Sequence, residues 1–211
     1  MWKPRGAITL TLFLFFSIAS LDMARAAGDE FADGAHRFIQ TLADRAVITL
    51  AGEKLDRSEQ QEKFRQLLNE NFEVRLLGKW ALGRHWRRAT KAERADYLRL
   101  FEDFIVSTYS KRFRQYTNEK LAVASASSRS AKLAIVHSRL MRESHKPIRI
   151  DWRVAYPSGK YKIVDIIVEG ISLVQTHRSE FGSVIHQNGG KVSGLITALR
   201  DKTESLNRRR N

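Results

Sequence analysis

The sequence predicts an α+β fold, with helices in the N-terminal half, a four-stranded antiparallel meander, and helices again at the C-terminal end. Three observations carry this. Apolar residues recur three or four apart from residue 31 to residue 113; polarity alternates between neighbours from 121 to 169, with short polar turns; and helical spacing returns after Gly170. The stretch 150–181 organises the rest. Its first strand sets Ile150, Trp152 and Val154 against Asp151, Arg153 and Ala155, and 157–160 supplies a turn. The second, 161–169, is apolar on nearly both faces, so each face needs an apolar cover, which protein or a ligand could supply. Gly170 then turns the chain into a helix that Ser172 or a neighbour can cap, with Leu173, Val174, Phe181, Val184 and Ile185 at helical spacing.

Residues 1–26 read as a secretory signal peptide. Lys3 and Arg5 precede an apolar run over 7–21, and Ala24-Arg25-Ala26 has the small-x-small form of a cleavage site. The run falls short of the roughly 20 residues that span a bilayer. Cleavage after Ala26 leaves 185 of the 211 residues, which suits one domain, 27–206, and a basic tail, 207–211, expected to be disordered. The absence of cysteine means that an exported protein folds without disulfides, which fits a bacterial periplasm. Lys3, Arg5 and Arg25 against Asp22 take +2 from the chain's formal +14, leaving +12. In an exported protein that charge points to anionic lipid headgroups or acidic partner surfaces rather than nucleic acid.

In chain order, an amphipathic helix is expected over 29–50, carrying Phe31, Ala35, Phe38, Ile39, Leu42, Ala46 and Leu50. Gly52 ends it, and a second helix starts at 56–58, buries Phe64, Leu67, Leu68 and Phe72, and resumes as a short turn with Leu76, Leu77 and Trp80. A loop over 82–88 holds Arg84, Trp86, Arg87 and Arg88. It offers amphipathic and phosphate-binding side chains to a headgroup or membrane, although the arginines could equally be a solvated face and the tryptophans more readily staple the loop to the core. Thr90-Lys91-Ala92-Glu93 has capping-box spacing, and the helix it opens carries a broad aromatic stripe including Tyr97, Phe101, Phe104, Ile105 and Tyr109 before fraying by Thr117. Strands follow over 121–126, 132–141 and from Pro147. After Asn188-Gly189-Gly190, a last amphipathic turn or two carries Val192, Leu195, Ile196 and Leu199.

The six histidines and absent cysteines form no metal-ligand pattern, and no nucleophile elbow, phosphate loop or dinucleotide fingerprint occurs. No catalytic residue, metal or cofactor is therefore assigned. Asp165 is the one carboxylate inside an apolar strand. Burial could make it a general base, as in cone-shaped helix-on-sheet isomerases or hydrolases, whereas the plainer role is an ion pair with Arg178 or Arg153, or a place at a solvated edge. A periplasmic adaptor is the third class considered.

Leu82-Gly83-Arg84-His85-Trp86, the capped helix with 100–104 and Thr108-Tyr109, and above all 164–173 followed by Arg178-x-x-Phe181 resemble the MlaC or toluene-tolerance family of periplasmic lipid-binding proteins. The stretch 183–190 is similar to its hopanoid-associated branch, HpnM. The resemblance implies a non-enzymatic carrier of phospholipid or hopanoid-like lipid between inner and outer membranes, with the lipid as cargo rather than cofactor. It implies helices and a twisted sheet enclosing acyl chains in an apolar cavity, an NTF2-like arrangement. The implied partners are an inner-membrane ABC transporter with an MCE-type subunit and an outer-membrane lipoprotein complex. The expected lipid-lining residues are Phe101, Phe104, Ile105, Tyr109, Val164, Ile166, Val168, Leu173 and Phe181. Val164, Ile166 and Val168 are preferred to the opposite face of their strand because that face holds Asp165.

Overall fold

The computed structural model describes residues 16–51, 55–114, 119–143 and 145–208. Helices α1 (Phe16–Ala51), α2 (Arg57–Asn71), α3 (Val74–Leu82), α4 (His85–Arg88) and α5 (Lys91–Arg114) precede strands β1 (Lys120–Ser130), β2 (Leu133–Arg142), β3 (His145–Ala155), β4 (Lys162–Val168) and β5 (Ile171–Ser172), and α6 (Leu173–Gln187) and α7 (Val192–Arg208) close the chain. The sheet is antiparallel throughout, in the order β1-β2-β3-β4-β5. Capping chemistry places the helix starts. Glu93 N donates to Thr90 Oγ1 at 3.1 Å while Thr90 N donates to Glu93 Oε2 at 2.9 Å. Asp56 and Glu59 make the same reciprocal pair at the start of α2.

Several elements differ from expectation. The predicted loop over 82–88 contains the single helical turn α4. The third strand begins at His145, two residues before Pro147, and the meander gains the two-residue β5. The last helix has 17 residues and runs through Asn207 and Arg208, where the composition placed the start of a tail. Its end is held: Arg57 Nη1 donates to the Asn207 carbonyl at 2.7 Å and Nη2 to Asn207 Oδ1 at 2.8 Å. Residues 209–211 lie outside the described residues. So do 1–15, while α1 is continuous across the expected cleavage point at Ala26. Among the described residues, no helix is long and apolar enough to cross a membrane.

Packing divides into two cores. One joins α3, α5, α6 and α7 through Tyr97, Leu100, Phe101, Phe104, Phe181, Ile185 and Leu195. The other packs α1 on the sheet, with Phe31, Ala35, Ile39 and Leu42 against Ala134, Val136, Val154 and Ile163. Phe64 and Phe72 touch both. Within the first core, Tyr97 is fully buried and donates to the Gly78 carbonyl at 2.9 Å, and burial pushes its phenol far above the ordinary range. The α2–α3 junction is tied to the sheet where Glu73 N donates to the Ile163 carbonyl at 3.0 Å.

Candidate functional site

The space between the two cores is a cavity of about 1400 Å³. One wall is the inner face of the sheet: Leu121, Leu140, Ile148, Ile150, Trp152, Ile166 and Val168. The facing wall comes from five helices, with Ile39, Leu42, Ala46 and Leu50 of α1, Phe64, Leu67, Leu68 and Phe72 from α2 and its C-cap, Leu77 and Ala81 of α3, Phe101, Ile105 and Tyr109 of α5, and Leu173, Val174 and His177 of α6. Polar atoms on this lining are mostly engaged elsewhere. Trp152 Nε1 donates to Ser138 Oγ at 2.9 Å, and that hydroxyl donates to the Ile150 carbonyl at 2.8 Å, so the indole offers the cavity its apolar ring.

Strand register locates the mouth. Leu121, Leu140 and Ile148 stand opposite one another across β1, β2 and β3, and the charged lining residues Glu119, Lys120, Arg142 and Glu143 cluster at that end, with Asp44 on α1. Large apolar side chains are exposed on the same lining: Ile48 at 74%, Val47 at 48% and Met141 at 43%. Exposed aliphatics therefore stand beside charges at this rim. His177 and Tyr109, hydrogen-bonded at 3.2 Å, put a polar pair on the helical wall, and Glu180 Oε2 lies 3.1 Å from His177 Nδ1.

Of the nine residues expected to line a lipid site, Phe101, Ile105, Tyr109, Ile166, Val168 and Leu173 border the cavity. Phe104, Val164 and Phe181 do not. Phe104 and Phe181 lie in the helical core behind the wall, with ring centroids 6.1 Å apart and His177 beside both. Val164 is displaced by a bulge: Arg153 pairs with Asp165 but Val154 with Ile163, so one extra residue of β4 stands at that step. The bulge changes the phase of alternation, which puts Ile163 on the inner face together with Ile166 and Val168 and takes Val164 out of that row. Perfect alternation misassigned Val164 for this reason. The contributions of α1, α2 and α3 were missed because an amphipathic stripe reads alike over a core and over a cavity. The exposed Val47 and Ile48, next to the buried stripe of α1, were the available signal.

Asp165 is 3% exposed and bound on both oxygens. Oδ2 accepts from Ser172 Oγ at 2.7 Å and Arg153 Nη1 at 3.1 Å, and Oδ1 accepts from Val174 N at 3.3 Å. Ser172 Oγ in turn accepts from Gln175 N at 3.2 Å as the N-cap of α6. Between them, Glu169 (φ 49°) and Gly170 (φ 82°) form the two-residue turn joining β4 to β5. The motif over 165–172 is therefore a hairpin, a cap and a carboxylate that pins them together. On the outer face of the sheet, Asp151 accepts from Arg149 at 2.6 Å and from His137 at 2.9 Å. Burial pushes its carboxyl up, but these two partners outweigh burial and hold it below the ordinary Asp range.

The expected headgroup residues lie away from the large cavity. Trp86 is half-buried against the helical core, with the Arg94 guanidinium 5.2 Å from its ring centroid. Arg84, Arg87 and Arg88 are exposed. Among the described residues, no cluster of His, Asp and Glu could hold a metal ion.

A five-stranded antiparallel sheet wrapped by helices around an apolar cavity defines the architecture. A model of the MlaC family matches residues 40–201, and the chain belongs to that family. The intermembrane phospholipid transport system binding protein MlaC of Haemophilus influenzae is 21% identical over 126 residues, 58% of each chain. The toluene tolerance protein ttg2D of Pseudomonas putida is 21% identical over 110 residues, 52% of this chain and 51% of its own. The chain thus aligns with little more than half the length of these relatives. A phospholipid-binding protein from Ralstonia solanacearum, solved in complex with a phospholipid, has the same fold at a TM-score of 0.71 and 22% identity, covering 82% of this chain and 99% of that one.

Proposed function

We propose that this protein is a periplasmic carrier that encloses the acyl chains of a phospholipid, or the body of a hopanoid-like lipid, and ferries it between the inner and outer membranes in an Mla-like system. The observation that carries this reading is the cavity. At about 1400 Å³ it exceeds the roughly 300–1,000 Å³ of small-molecule pockets, and its lining is chiefly aliphatic and aromatic. Each buried CH₂ contributes about 0.8 kcal/mol, so a chain of about sixteen carbons gains roughly 12 kcal/mol by leaving water. That is enough to hold a lipid without convergent polar groups. Phe101, Ile105, Tyr109, Ile166, Val168 and Leu173 are the proposed acyl contacts among the residues named from sequence. The headgroup rests at the rim beside Lys120, Arg142 and Glu143.

The named relatives support this reading, as does the exported address expected from residues 1–26. Removal of those residues leaves α1 starting at Ala27. An inner-membrane transporter with an MCE-type subunit and an outer-membrane lipoprotein complex are the proposed donor and acceptor. An Asp165-based enzyme is disfavoured because both carboxylate oxygens are bound within the fold.

Native mass spectrometry of the mature protein purified without detergent tests this reading. A discrete added mass that organic extraction removes, and that fragments as one lipid class, is expected. Protein at its bare polypeptide mass that also takes up no phospholipid from vesicles would contradict it.

A further inference from the structure

A second concavity, of about 550 Å³, lies between the α3–α4 junction and α6, and shares no described lining residue with the lipid cavity. On one side are Leu82, Arg84 and His85. On the other, Arg178, Ser179, Gly182, Ser183, His186 and Gln187 follow one face of α6 at spacings of three and four. Two arginines, two histidines and two hydroxyls converge here, with no carboxylate among the described lining residues.

Three features make this more than a basic surface. Gly83 has φ +58°, and a Cβ there would come within 2.6 Å of Arg178 Nε, so the glycine lets the guanidinium lie flat against the α3–α4 turn. His85 is 8% exposed and its Nδ1 is buried without a hydrogen-bond partner. A proton on Nε2 would make that nitrogen a donor to the cleft. Burial and the neighbouring Arg84 and Arg88 cations hold His85 below the ordinary imidazole range, which keeps the ring neutral and reports a positive local field. Gly182, with nothing within 4 Å of where its Cβ would stand, leaves the floor of the cleft open.

We propose that this cleft is an anion site for a phosphate ester, with Arg84 and Arg178 clamping the phosphate oxygens, His85 donating from its floor, and Ser179 and Ser183 meeting the attached polyol. Paired guanidinium groups match the planar arrangement of phosphate oxygens, and the volume exceeds what a bare phosphate ion fills. The ester is either a soluble glycerol phosphate or a phospholipid headgroup at a membrane surface.

Histidine ring NMR of the mature protein, titrated with glycerol 3-phosphate and with inorganic phosphate, tests this at fixed ionic strength. Saturable shifts of His85 and His186 are expected. The double variant Arg84→Gln, Arg178→Gln should weaken binding by about tenfold or more, given two lost charge-assisted contacts. The double variant Arg87→Gln, Lys91→Gln removes the same charge outside the cleft and should leave binding within about twofold, as expected of screened surface charges. Gly182→Leu fills the cleft on a helix face with room for it, so it should fold and block binding. Sedimentation with phosphatidylcholine vesicles containing phosphatidate separates the sources. Loss of sedimentation in the Arg84/Arg178 pair alone assigns the headgroup, and soluble binding without it assigns the free ester. No saturable binding in either arm, or equal loss in the Arg87/Lys91 control, overturns the site. Retention of lipid in the large cavity is independent of either result.

Discussion

Phe104 and Phe101 are three residues apart on α5, yet they do different work. Phe101 reaches the cavity wall, whereas Phe104 is walled in by Phe181 and His177. Phe104→Ala should therefore behave as a solid-core truncation and cost about 3–5 kcal/mol. Leu173→Ala, on the wall and only half-buried, should cost less and lower lipid retention instead. Denaturant unfolding with lipid quantified in parallel distinguishes them. A Phe104→Ala protein of near-normal stability that had lost its lipid would move Phe104 into the cavity lining. The sequence could not separate these roles, because both rings fall on the same helical stripe and the stripe says nothing of what covers it. Asp165 was legible as a choice between a base and an ion pair. The structure supplies the ion pair through Arg153 and adds Ser172 and the Val174 amide as further donors.

At the scale of elements, the unit running from β4 through the tight turn into α6 was the most readable, because each device in it is local. Glycine permits the turn, serine caps the helix, and aliphatics fill the strand. The β4 bulge was not readable, since one inserted residue leaves no mark in a strand apolar on both faces. Gly170 has φ +82° and open space around it, so Gly170→Ala should destabilise through backbone strain alone, by about 1–2 kcal/mol. Gly182, in the interior of α6 and equally unobstructed, gives the opposite expectation: Gly182→Ala should stabilise by about 0.5–1 kcal/mol. Chemical denaturation measures both. Equal effects of the two substitutions would mean that the turn carries no strain penalty.

For the whole molecule, the α+β order of elements and the helix-on-sheet packing followed from periodicity, which is a property of single segments. The cavity did not, because it arises from the failure of two cores to merge. Phe64 and Phe72 bridge them, while Leu121, Leu140 and Ile148 line the cavity at its mouth. The central claim is that the inner face of the sheet touches lipid and the outer face does not. Val168→Asp and Ile135→Asp put the same charge on opposite faces, the second beside Arg153 on the outer side. An unpaired charge against acyl chains is costly, so the Val168→Asp protein, folded by circular dichroism, should be recovered without lipid in native mass spectrometry, while Ile135→Asp retains it in full. A folded Val168→Asp protein carrying as much lipid as Ile135→Asp would contradict the account.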